Sequence, residues 1–152
     1  MAKAPRYEGL TADMSLRDAA QTILRALLDA MLEQTSAVLR GDDTRAVHDM
    51  RVAIRRLRSA LGTFEDCFGP RQIRTLRRAT RRVGRKLGEV RDADVHLAAL
   101  RATLGVASET DSPGIAFAID ALLARRRTAL AEFAIELSQF DRESFSRVLA
   151  NG

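Results

Sequence analysis

Residues Thr44 to Arg91 read TRAVHDMRVAIRRLRSALGTFEDCFGPRQIRTLRRATRRVGRKLGEVR, and the whole chain is organised around this stretch. It holds fourteen of the 25 basic residues and four of the 20 acidic ones, a net charge of +10 in a chain whose total is +5. The remainder therefore sums to −5. A partner responds to a local field and not to formal net charge, so this separation carries information that the total does not.

On a helical wheel with His48 at zero, Met50, Ile54, Leu57, Leu61, Phe64 and Phe68 fall between about 160° and 240°. His48, Arg51, Arg55 and Arg58 fall between about 280° and 360°, and Gly62 shares that arc. The spacing predicts an amphipathic helix whose apolar face is flanked by a basic stripe headed by a histidine. After Gly69-Pro70 the scheme repeats more strongly. Ile73, Leu76, Thr80, Val83 and Leu87 line one face, and Arg74, Arg77, Arg78, Arg81, Arg82, Arg85 and Lys86 fill the opposite one. No acid stands between Asp66 and Glu89. A solvated helix usually interleaves signs to gain i,i+4 pairs. Seven like charges on one face repel each other, and a polyanion would relieve them.

Working outward, 152 residues are enough for one domain with a real core. Hydrophobic residues at 46% and charged residues at 30% give a globular balance. Ala, Leu and Arg dominate, Trp is absent, and Gly and Pro are sparse, which predicts an all-α class. Of the basic residues, 23 are Arg and two are Lys; the guanidinium fork suits phosphate oxygens. The single Cys67 cannot form an internal disulfide, which fits a reducing compartment. No stretch has the length and apolarity of a membrane span, and no apolar signal core opens the chain. A cytoplasmic protein without a membrane partner is expected.

Taken in order, residues 1–13 read as a flexible tail and 14–152 as one helical bundle. Ser15 caps a first helix to about Arg40, with Asp18 at the capping-box position and Leu16, Ala20, Ile23, Leu27, Met31 and Val38 as its stripe. Gly41-Asp42-Asp43 ends it, with Asp43 or Thr44 capping the next. Pro70 opens the third helix from a favoured first position. Gly88 and Glu89-Val90-Arg91 are expected to bend, braced by an Arg91–Asp92 ion pair, with Asp92 capping a short helix to about Val106. Ser112-Pro113 starts a fifth helix ending near Ser138, and Arg142 to Leu149 forms a final short piece. The expectation is an antiparallel bundle of about five helices plus a short C-terminal one. Arg126 interrupts the apolar face of the fifth helix, either snorkelling or aimed into an anion-filled interior.

The blocks HDMRVAIRRLRSAL, from His48, and LGEVRDADV, from Leu87, stand in order about forty residues apart. In them, and in the basic helix between, the sequence resembles the CHAD family, the conserved histidine α-helical domain. The resemblance covers roughly Leu16 to Leu149. It implies helical bundles that bind inorganic polyphosphate through basic residues around a groove, and an association with polyphosphate granules. Carried across, it implicates His48, Arg51, Arg55 and Arg58 together with the helix from Arg74 to Lys86. Family members usually pair two helical halves, and this chain matches only the first. A weak homodimer is therefore expected, covering apolar surface near Ile119, Leu123 and Leu130 and setting two basic stripes around one anion.

Other chemistries have less behind them. Phosphoryl transfer wants carboxylates that hold metal ions near the phosphates, and the basic faces contain none. His48, Asp49, Asp92, Asp94 and His96 do not have the spacing of a metal site, so neither metal nor cofactor is expected. Nucleic acid is the rival polyanion, since phosphate contacts are sequence-blind. The stripes lack the Asn, Gln and aromatic side chains of base readout and stacking. A scaffold that docks an acidic protein is a third class. The reading is a non-catalytic binding module.

Overall fold

In the computed structural model, which describes residues 5–150, six α-helices follow one another without a strand among the described residues. They are α1 (Leu16–Leu32), α2 (Thr35–Arg40), α3 (Thr44–Thr63), α4 (Pro70–Leu104), α5 (Ser112–Ser138) and α6 (Arg142–Ala150). A 3₁₀ turn, Glu65–Cys67, leads from α3 towards α4. Of the expected tail, residues 1–4 lie outside the described part, as do 151–152.

The caps follow the sequence. Ser15 Oγ accepts from the Asp18 amide at 3.1 Å and donates to the Asp18 carboxylate at 2.6 Å, tying off the start of α1. Asp43 caps α3 by accepting from the amides of Arg45 and Ala46 at 2.8 and 3.1 Å. Pro70 takes the first position of α4, where its missing N–H costs nothing, and Gln72 Oε1 accepts from the Gly69 amide.

The all-α class and the tally of five helices plus a short last one hold, but the divisions differ. The expected first helix breaks at Glu33-Gln34, where the Gln34 amide turns to the Met31 carbonyl in a tighter i,i−3 bond. The run Glu33-Gln34-Thr35-Ser36 offers no aliphatic side chain to hold a helix against the core there. Conversely, the expected bend at Gly88–Arg91 does not exist. α4 runs unbroken for 35 residues, so Asp92 is a mid-helix residue and not a cap, and there is no bend for an Arg91–Asp92 pair to brace. Leu87, Val90, Ala93 and Leu97 are all buried on one face, and that packing outweighs the roughly 1 kcal/mol propensity cost of an interior glycine. Leu16, expected in the α1 stripe, is two-thirds exposed at the helix start.

The helices pack in the order α1–α3–α4–α5, with α2 against α3 and α6 closing the end between α1 and α4. Gln21 Nε2 and Gln72 Nε2 donate to the Leu149 and Val148 carbonyls at 2.8 and 3.2 Å, securing α6 from both sides. Leu24, Leu28 and Met31 of α1, Met50, Leu57 and Leu61 of α3, Leu76 and Leu87 of α4, Phe133 of α5 and Leu149 of α6 form one buried core. At Gly84 an added Cβ would stand 3.0 Å from Ile54 Cγ2, so α3 and α4 approach closely at this glycine. Among the described residues no helix is long and apolar enough to cross a membrane.

Candidate anion-binding groove

Because Met50, Ile54, Leu57 and Leu61 anchor α3 in the core, helical periodicity turns His48, Arg51, Arg55 and Arg58 out to solvent along one edge. That edge faces α4. Arg55, Arg58 and Ser59 of α3 line a cleft with Arg77 and Arg81 of α4. A second cleft, sharing Arg55 and Arg58, runs on past Gly84 to His48, Arg51, Arg91, Asp92 and Val95. His48 and Arg91 also border the N-terminal mouth beside Thr44 and Arg45. The shared lining residues make one continuous trough, about 15 Å long from His48 to Arg58 at 1.5 Å per residue.

Among the described residues Arg51, Arg55, Arg58 and Arg81 form no ion pair, so their charges are uncompensated within the protomer. Arg77 is half-buried; its Nη2 pairs with the Glu65 carboxylate at 2.6 Å and passes over Gly62, where a Cβ would stand 3.6 Å away. Asp92 is the acidic residue lining the long cleft, and Asp49 joins it at the mouth. His96 is exposed on α4.

The basic face of α4 is not one surface. Arg74, Arg78 and Arg82 border a furrow with Arg77 and Arg81, while Arg85 is exposed outside these clefts. Arg82 and Lys86 lean the other way, across the seam to α5. Arg82 Nε lies 2.8 Å from Glu136, and its Nη2 donates to Gln139 at 3.0 Å. Lys86 Nζ pairs with Glu132 at 2.5 Å and with Glu89 at 3.2 Å. Glu132 first, then Glu89, raise Lys86 above the ordinary lysine pKa. The neutralising acids come from another helix, which a reading of α4 alone does not see.

Arg126 lies apart from the trough. Its Nε donates to Asp94 Oδ1 at 2.5 Å and its Nη1 to the Gly41 carbonyl at 2.7 Å, with the Asp94 side chain only 2% exposed. This arginine bolts α5 to α4 and to the turn before α3, so it is an interior brace and not a charge waiting for an anion. Gly41 itself has φ +81°, a left-handed conformation that favours glycine, and a Cβ there would also crowd the Leu130 side chain. Arg91 is the groove residue that the sequence reading misplaced. Arg77, Gly84 and Arg91 recur every seven residues, and that repeat marks the groove side once α4 is taken as continuous.

This chain belongs to the CHAD domain family: the family model matches residues 22–150, most of its length. No curated protein gives a match.

Proposed function

We propose that the protein binds inorganic polyphosphate, without catalysis, along the α3–α4 trough. CHAD domains are associated with polyphosphate binding and are generally binding domains, which supports the class of ligand. The observation that carries the reading is the row of guanidinium groups at Arg51, Arg55, Arg58 and Arg81, without an ion-pair partner among the described residues, around one elongated trough. Forked donors at successive helical turns suit a chain of phosphates, each presenting several oxygens. His48 and Arg91 extend the same wall. Arg74 and Arg78 continue it along α4, with Arg85 beside them, while Arg77, Arg82, Lys86 and Arg126 already have partners and leave the binding set.

Competition of long-chain polyphosphate against duplex DNA at equal phosphate concentration tests this. Polyphosphate should displace the DNA, and raising salt from about 50 to 200 mM should weaken binding by orders of magnitude if roughly six phosphates are engaged. A flat salt dependence, or DNA binding as tight as polyphosphate, would overturn the reading.

A further inference from the structure

Helix α5 is apolar on two opposite faces. Ile119, Phe133 and Leu137 are buried and Leu130 packs against the core, so the surface expected to stay open near Ile119, Leu123 and Leu130 is largely covered. On the outer face Phe117, Ala121, Ala124, Thr128, Ala131 and Ile135 follow one another at spacings of four and three residues, and all are exposed. Phe117 is 77% and Ile135 60% exposed. At 100° per residue these six lie within about 40° of one line. Alternating four-three spacing is the seam of a two-stranded coiled coil. An outermost helix ordinarily carries charge on its solvent face.

The flanks specify what covers the seam. Asp120 and Arg127 lie on one shoulder, each just before a seam residue, and Arg125 and Glu132 lie on the other, each just after one. When two such helices run parallel and in register, a residue on the first shoulder meets the one five positions further along its neighbour. Asp120 then faces Arg125 of the second copy, and Arg127 faces Glu132 of the second copy, each pair doubled by the twofold axis. An antiparallel pair centred on the seam would instead set Arg125 beside Arg125 and Arg127 beside Arg127. Asp120, Arg125 and Arg127 are exposed and form no ion pair among the described residues. Glu132 holds Lys86 through Oε2, leaving Oε1 to a neighbour.

We propose that α5 pairs with α5 of a second copy of this chain, parallel and in register, through the Phe117–Ile135 seam. Three of the six seam residues are alanines and bury little apolar area, so the dimer is weak and concentration-dependent. It does not involve the α3–α4 trough and forms without polyanion.

Sedimentation equilibrium of the full chain, with no polyanion present, should show a reversible monomer–dimer equilibrium. Ala124→Glu and Ala131→Glu should each give monomers with unchanged helical circular dichroism, since both sites are exposed and Glu is a good helix former. Asp120→Arg should weaken the dimer about tenfold, and adding Arg125→Asp should restore it. With Cys67→Ser in place, Thr128→Cys should cross-link to itself on mild oxidation, because parallel register sets the two copies of this residue together. Monomers at all concentrations, or a dimer indifferent to both Glu variants, would overturn the proposal and leave the face to a different protein. Cross-linking of Ala124→Cys to Thr128→Cys in preference to Thr128→Cys with itself would overturn the parallel orientation.

Discussion

The two edges of α4 carry similar arginines and meet opposite fates. Towards α3, Arg81 looks across at Arg55 and Arg58, and among the described residues none of the three has an acidic partner, although Arg77 beside them is held by Glu65. Towards α5, Arg82 and Lys86 look across at Glu136 and Glu132 and are neutralised. Adjacent positions of one helix thus carry a charge that holds the bundle together and a charge that no acid answers among the described residues. A basic face is a candidate site only where the neighbouring helix declines to answer it.

The sharpest test of that contrast lies at the interior arginine. Arg126→Ala should destabilise the protein by about 3–5 kcal/mol, because the carboxylate of Asp94 is left buried without its partner. Thermal or urea unfolding would read this, while polyphosphate affinity of the folded fraction should hold. Lost affinity with an intact fold would return Arg126 to the binding set. Next in size, Arg51→Ala, Arg55→Ala and Arg58→Ala combined should weaken polyphosphate binding on the order of 100-fold, since three phosphate contacts vanish. Circular dichroism should not change, because these residues are exposed and alanine favours helix. Gly88→Ala should raise stability by about 0.5–1 kcal/mol: an added Cβ meets nothing within 4 Å, and the position is helical. A loss of stability there would mean that α4 does bend between the two regions. Smallest, Arg82→Ala should change polyphosphate binding less than about threefold and stability by about 1 kcal/mol, as befits a partly exposed pair.

What the sequence discloses depends on how far apart the deciding residues are. The edge with His48, Arg51, Arg55 and Arg58 is legible because the apolar residues that orient it lie within the same helix. The caps at Ser15 and Asp43 are local as well. The course of α4 through Gly88 is not legible locally, because a glycine followed by Glu89, Arg91 and Asp92 has turn character. Yet Leu76, Val83, Val90 and Leu97 continue at sevenfold spacing straight through it and are all buried. The partners of Arg126, Arg82 and Lys86 stand between 32 and 85 residues away, apart from the nearby Glu89, and no periodicity within one helix announces them.

The close approach at Gly84 also bears on the thermodynamics of ligand capture. The Ile54 methyl packs close over Gly84, and this contact sets the spacing of the two rows of guanidinium groups before any anion arrives. Binding at the proposed site would then not need to draw the walls together or order a loop. Its entropic cost falls on the arginine side chains themselves, roughly 0.5–1.5 kcal/mol for each one immobilised. A larger residue at position 84 would press on Ile54, and the proposed site would lose preorganisation without losing one positive charge.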